Sequence, residues 1–578
     1  MRTGEVRAGG AERIIPALGW LVGYRRADWR GDLIAGLTTG VMLVPQAMAY
    51  ALLAGLSPAI GLYAATLPLI AYALLGTSRH LAVGPVAIIS LLVAAAAAQV
   101  AAPGTPEYAL YAAQLALLVG LLQVALGVLR LGAIANYLSH SVITGFTAAA
   151  ALVILLSQVK HLLGVSVPGT ESTLGLVVAL AGALPQAHPL VLGLGLGSLG
   201  WLLLARARWP QFPASMVLVV AGTLVVWGLG LAQRGVPIVG EVPAGLPALR
   251  LPWLDLATLT RLLPVALTIV FVGFTESIAV AQMIAAREHY RLEPSREFVA
   301  LGAANVAAGL VGAYPVTGGF SRTAVNYQAG ARTGLASLVT AAFVVLTLLL
   351  FTPLFTQLPQ VVLAAVVVAA VLSLIDLRSF RRLFAVKPGD GWVALATFGV
   401  TLAVNVEAGV LAGVALSLAQ FIWRSSHPHI AELGYVAAEK AYLNVQRFPE
   451  AQRPPQVLVV RIDASLYFAN MGQVAQWLRE RLLAREEVKW VLMDWSGVNE
   501  IDASAVHDLQ ELMASYHDRG IIFLFAAVKG PVRDVLERAG WDEDPGRWRT
   551  CRSLGDALSH LGLEPDLTGA CPSPPHIA

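Results

Sequence analysis

Ala82-Val83-Gly84-Pro85-Val86-Ala87-Ile88-Ile89-Ser90 and Pro315-Val316-Thr317-Gly318-Gly319-Phe320-Ser321-Arg322-Thr323 are the two stretches that decide the fold. Each is an extended run containing Gly and Pro that opens into a short helix. A helix N-terminus carries unpaired N–H groups and roughly half a positive charge, so it attracts anions. Gly84 and the Gly318-Gly319 pair allow a ligand to approach the backbone closely, and Pro85 suits a first helical turn.

The spacing of these stretches implies an internal repeat. Arg322 follows Pro85 by 237 residues and Glu276 follows Gln46 by 230, so first-half features have second-half partners at a similar offset. Broken helices at matching positions of two halves mark a transporter site near the membrane midplane. Seven helices per half is an odd number, so the second half would be inverted. Both short-helix N-termini would then meet in the middle, an arrangement that suits an anion.

Composition supports a membrane reading. The 578 residues are 57% hydrophobic and 13% charged, with a mean hydropathy of +0.69. That excludes an ordinary soluble enzyme and a disordered chain. A net charge of +3 gives no reason to expect nucleic acid, and Cys551 and Cys571 make no disulfide framework. The chain is expected to be polytopic and helical.

Charge is uneven along it. Residues 1–425 hold 24 basic and 15 acidic residues, and residues 426–578 hold 15 and 21. This divides the chain into a cytoplasmic N-terminal segment (residues 1–31, without the apolar core of a cleaved leader), a transmembrane domain (32–425) and a linker that leads into the following domain (426–456). A soluble α/β domain (457–566) and a disordered tail (567–578) complete it. Apolar stretches centre near residues 43, 67, 92, 118, 148, 196, 222, 270, 305, 325, 345, 367, 397 and 416. Clusters such as Arg25-Arg26, Arg206 with Arg208, and Arg378 with Arg381, Arg382 and Lys387 precede the first span or follow even-numbered ones. Fourteen spans with both termini cytoplasmic satisfy the positive-inside rule.

Ionisable residues within spans are costly and usually functional. Arg322 reads either as a structural cation paired with Glu276 or as positive charge at the substrate site. Glu276 reads either as its counter-ion alone or as a carboxylate that takes a proton when a dianion arrives. Gln46, one turn before Tyr50, is a candidate hydrogen-bonding group or a satisfied core amide. Asp32, Glu107, Asp376 and Glu407 are expected to be interfacial.

Several linked motifs resemble one family in order. Residues 32–63 (DLIAGLTTGVMLVPQAMAYALLAGLSPAIGLY), 76–92 (GTSRHLAVGPVAIISLL), 275–290 (TESIAVAQMIAAREHY) and 320–333 (FSRTAVNYQAGART) resemble the SulP family of sulfate permeases and solute-carrier-26 anion transporters. The resemblance implies a fourteen-span 7+7 inverted repeat with core and gate domains, working by elevator-like alternating access. It implies an anion site of Gln46, Tyr50, Val86, Ala87, Phe320, Ser321 and Arg322, with Glu276 as the proton-coupling residue. No metal or cofactor is implied, and the coupling ion is a proton. A homodimer in the cell (inner) membrane is expected by resemblance alone.

In the tail, VLVVRIDASLYFA, WVLMDWSGV and IIFLFAAV read as strands alternating with helices. Asp494-Trp495-Ser496-Gly497 with Asp502-Ala503-Ser504-Ala505 resembles a STAS domain. Ser504 falls where soluble relatives are phosphorylated; the simpler expectation is that it caps the following helix.

The expected function is therefore secondary-active inorganic anion transport, with proton-coupled sulfate symport favoured. Sodium- or exchange-coupled bicarbonate, chloride or dicarboxylate transport is the alternative on the same scaffold. A membrane-anchored sensor signalling through the STAS domain is a third class. An ATP-driven pump is disfavoured, because no G-x-x-x-x-G-K-[ST] run exists.

Overall fold

A computed structural model describes residues 24–132, 139–167, 173–209, 212–240, 245–541 and 548–561, together with Pro16 and Leu21. The chain divides into two compact units, Met1–Ser417 and Leu418–Ala578. The expected disordered tail, and most of the N-terminal segment, lie outside the described residues.

Among its described residues the first unit is helical, with a two-residue ladder and an isolated bridge between Ile238 and Pro359 as its β pairings. Its helices are α1 (Trp29–Leu53), α2 (Pro58–Tyr63), α3 (Leu67–Leu75), α4 (Ala87–Ala98), α5 (Pro106–Val128), α6 (His140–Leu163) and α7 (Thr173–Ala183). There follow α8 (Pro189–Arg208), α9 (Ala214–Gly228), α10 (Leu256–Arg287), α11 (Pro294–Leu310), α12 (Phe320–Gln328) and α13 (Leu335–Leu350). The last are α14 (Gln360–Val371), α15 (Leu377–Val386), α16 (Pro388–Ala403) and α17 (Val406–Ser426), which runs on into the second unit. Every one of the fourteen apolar centres falls inside a helix. Among the described residues, seven helices are long and apolar enough to cross a membrane by themselves, α2 and α3 counting as one. The sequence reading omitted α7 and α15, which lie between apolar centres.

Helix is what an apolar environment demands, since each backbone polar group must be satisfied within the segment. The long helices begin where a side chain can take a free N–H. Thr105 caps α5, Ser139 caps α6 and Asp255 caps α10, and Gly164 ends α6 in the left-handed region. Small residues then bring helices together. A β-carbon on Gly120 of α5 would lie 2.5 Å from the Val306 backbone nitrogen, and one on Gly302 of α11 would lie 2.7 Å from that of Val124. This close approach lets Asn305 on α11 reach Gln123 on α5 at 2.9 Å.

Two short helices depart from this pattern. At about 1.5 Å per residue, α4 spans about 18 Å and α12 about 14 Å, well short of a hydrocarbon core of roughly 30 Å. Each is preceded by a two-residue strand, β1 (Val83–Gly84) before α4 and β2 (Thr317–Gly318) before α12. The strands pair antiparallel, Val83 opposite Gly318 and Gly84 opposite Thr317. The two chains pass each other at this ladder, and each turns at once into its helix.

The second unit is a six-stranded sheet of order β4-β3-β5-β6-β7-β8. Its strands are β3 (Ile430–Val436), β4 (Ala441–Asn444), β5 (Val457–Ile462), β6 (Trp490–Asp494), β7 (Ile522–Ala526) and β8 (Trp548–Cys551). Strands β5 to β8 are parallel, and β3 is antiparallel to both neighbours. The helices α18 (Met471–Leu483), α19 (Ala503–His517) and α20 (Gly530–Arg538) cover one face, and α21 (Leu554–His560) packs on the other.

Residues 426–456, expected to hold the linker and the entry to the soluble domain, take part in the sheet. That segment supplies β3 and β4, so the soluble fold begins near Ile430 rather than at Val457. The strand was hidden because its buried positions include a carboxylate. Glu432 is only 4% exposed and pairs with Arg485 at 3.1 Å, a partner 53 residues away that sequence cannot announce.

Candidate functional site

The site is built around the β1–β2 ladder. Neither α4 nor α12 has a side-chain cap: their N-caps are Val86 and Gly319. The first helical bonds are Ser90 N to Val86 O and Thr323 N to Gly319 O. The amides of Ala87, Ile88 and Ile89, and those of Phe320, Ser321 and Arg322, are therefore left without acceptors inside their helices. Two bare helix ends, both positive, issue from one ladder.

Buried polar contacts fix the ladder. The Thr317 hydroxyl donates to Gly273 O at 2.7 Å, lies 2.7 Å from the Ser277 hydroxyl, and Gly318 N donates to Ser277 Oγ at 2.9 Å. Asn305 receives Val316 N at 2.7 Å and donates to Val316 O at 3.0 Å. On the first-repeat side, Ala82 N donates to Thr323 Oγ1 at 3.1 Å, and Asn326 Nδ2 donates to His80 O at 2.9 Å. Each broken segment is thus tied to the other, and β2 is tied to α10 and α11.

Arg322 is 2% exposed. Its Nη1 donates to Pro85 O at 2.6 Å, while Nε and Nη2 are buried without a hydrogen-bond partner. A β-carbon at Gly319 would lie 2.8 Å from Nη2, so the guanidinium folds back over its own backbone, and a side chain at Gly319 would displace it. Tyr50, Glu276 and Tyr314 are the ionisable groups close enough to act on Arg322 electrostatically. Glu276 and Arg322 nevertheless form no ion pair, so of the two readings of Arg322 direct pairing with Glu276 is not the arrangement present. Glu276 Oε2 and Gln46 Oε1 are likewise buried and unpartnered. The satisfied-amide reading of Gln46 therefore fails at its oxygen. An isolated buried guanidinium nitrogen is costly, and two of them, beside two bare helix ends, describe a place prepared for negative charge.

The remaining sequence-derived residues are placed as follows. Tyr50, Val86 and Ala87 are buried, while Phe320 is 45% exposed and Ser321 is exposed in the first turn of α12. Sequence reading missed Tyr314, fully buried and 3.5 Å from Ser90 Oγ, together with the supporting Ser277, Asn305 and Thr317. A lone amide or hydroxyl in an apolar helix was the available signal for Ser277 and Asn305.

Two carboxylates outside the site are structural. Asp32, expected at an interface, is instead fully buried and accepts from Arg332 N, Thr333 N and the Thr333 hydroxyl at 2.6–3.0 Å. Glu297 accepts from Tyr72, Thr77 and Ser78. The Glu407 side chain lies outside the described residues. In the soluble unit, Asp502, not Ser504, caps α19, accepting from Ala505 N at 2.7 Å. Ser504 is the second residue of that helix and is exposed. A cavity of about 300 Å³ in this unit is lined by His429, Asn444, Arg447, Arg461 and Asp463; it belongs to a different compact unit from the helix ends.

Comparisons with known proteins agree with this geometry. The sulfate permease family matches residues 29–397, and the STAS domain matches residues 448–557. The chain is 38% identical to the Arabidopsis thaliana protein "Sulfate transporter 4.1, chloroplastic", over 93% of this chain and 81% of the relative. It is also 38% identical to a probable sulfate transporter of Mycobacterium tuberculosis, over 90% of this chain and 94% of the relative. Among solved structures it resembles the murine solute carrier 26 family member A9 anion transporter in its inward-facing state, with a TM-score of 0.89 and 26% identity, over 98% of this chain and 97% of that one. The transmembrane domain of a cyanobacterial bicarbonate transporter aligns with a TM-score of 0.60 and 26% identity, over 68% of this chain and 98% of that one. A helical membrane unit with paired broken helices, joined to a C-terminal α/β sheet, places this chain in the sulfate permease family, among anion transporters that carry a STAS domain.

Proposed function

We propose that the protein is a proton-coupled sulfate symporter. The observation that carries this reading is the pair of uncapped helix ends at the β1–β2 ladder, joined by an arginine with two buried, unpartnered nitrogens. A tetrahedral dianion there would accept from the amides of α4 and α12 and from Arg322. Gln46 and Tyr50 would line it from α1. Glu276, near Arg322 but not paired to it, supplies the proton site. A protonated Glu276 lets a dianion settle beside Arg322, and an ionised one repels it.

The site would be exposed alternately by movement of the core repeat against the gate repeat, in an elevator-like cycle of a fourteen-span 7+7 fold. Basic clusters after even-numbered spans support cytoplasmic termini and a cytoplasmic STAS domain. We place the protein in the cell membrane as a homodimer. Ser504, exposed in the first turn of α19, is a candidate phosphosite, since a phosphate near a helix N-terminus is electrostatically favoured.

Equilibrium binding to the purified chain tests the substrate. Radiolabelled sulfate should bind and be displaced by unlabelled sulfate in preference to bicarbonate or chloride. Displacement by bicarbonate or chloride with no sulfate preference would favour the exchange- or sodium-coupled alternative.

A further inference from the structure

The helix α15, absent from the fourteen-span reading, has no buried residue. Arg378, Arg381 and Arg382 on it, and Lys387 after it, are exposed, and among the described residues none of them has an ion-pair partner. The one acid at its start, Asp376, is already engaged, capping Arg378 N and Ser379 N at 2.9 and 3.1 Å. Projected down the helix axis, the three arginines fall in one arc of about 100°, and Leu377, Phe380, Leu383 and Phe384 fall in a separate arc of about 120°.

Part of the apolar arc packs on α16. Phe380 meets Phe398 edge-on at 6.1 Å and Phe384 meets Trp392 at 5.6 Å, with Phe384 seated over Gly391. Of that arc Leu377 stays 66% exposed; Val386, beside Arg382 at the end of the helix, is 77% exposed, and Trp392 on the adjoining α16 is 62% exposed. The helix stands between α14 and α16, so both its ends feed membrane segments.

We infer that α15 is an anionic-lipid site: its arginines bind phospholipid headgroup phosphates while its uncovered apolar edge dips into the acyl boundary. Charge complementarity selects this occupant. An apolar protein partner would leave three arginines desolvated, whereas a headgroup layer accepts them. Attachment at both ends to membrane helices keeps α15 at that layer.

Native mass spectrometry of the purified full chain tests the inference with phosphatidylglycerol and phosphatidylcholine as probes. The wild-type chain should retain phosphatidylglycerol preferentially, and the preference should weaken with rising salt. The Arg378→Gln/Arg381→Gln/Arg382→Gln chain should lose the preference by roughly a hundredfold. The corresponding triple lysine chain should keep it, and single Arg→Gln chains should fall between. An equal preference in the triple glutamine chain, or no preference in the wild type, would overturn the inference and leave the face to a protein partner.

Discussion

Arg322 donates from Nη1 to the carbonyl oxygen of Pro85 across 2.6 Å, so two residues 237 positions apart close the gap between the broken helices. The bond orients the guanidinium without neutralising it. A backbone carbonyl takes one nitrogen, and no carboxylate takes the others, which stay buried without a partner.

Removing that charge should weaken anion binding. Arg322→Ala is expected to cost about 2 kcal/mol of sulfate binding, roughly thirtyfold in affinity. Arg322→Lys should recover only part of it, because an ammonium cannot reach Pro85 and the site with a planar fork. Binding of sulfate to Arg322→Ala as tightly as to the wild type would remove Arg322 from the site.

Position matters as much as charge. Gly319→Ala would push a methyl group into Nη2 at 2.8 Å. Uptake should fall by roughly tenfold or more while the chain stays monodisperse, since displacing a positioned group by about an ångström is enough. Gly197→Ala on α8, where nothing lies within 4 Å, is the matched control and should leave uptake unchanged.

The ladder's supports should register as stability. Thr317→Val keeps the shape but removes the donor to Gly273 O and the contact with Ser277. A loss of about 1–3 kcal/mol is expected, seen as a lowered Tm in detergent. A Tm equal to the wild type would mean that the ladder is held by packing alone.

Glu276→Gln should separate transport from coupling. A neutral isostere mimics the protonated carboxyl, so sulfate counterflow should persist while stimulation by external acid disappears. A pH profile unchanged from the wild type would locate the proton site elsewhere.

Much of this was legible in the sequence. Gly84-Pro85 and Gly318-Gly319 announced the broken helices, because glycine and proline have few other uses inside apolar spans. Arg322 and Glu276 stood out as rare charges. The relationship between them was not legible: whether a carboxylate and a guanidinium touch depends on a few ångströms of packing. Asp32 was misread because its partners are loop amides 300 residues away, and Ser504 because Asp502, two positions earlier, caps equally well. The β3–β4 hairpin was lost to a buried Glu432 whose partner, Arg485, lies on the far side of α18 in sequence. The helix α15 was read as charge after a span, since ten residues with basic and apolar arcs look like a loop when only hydropathy is followed.

The most direct test of the central claim is sulfate uptake into proteoliposomes, in sodium-free buffer, with and without an inward proton gradient. The account predicts accumulation of sulfate above its external concentration only when the gradient is present, and its loss in Arg322→Ala. Absence of sulfate accumulation, with bicarbonate or chloride moving in its place, would contradict it.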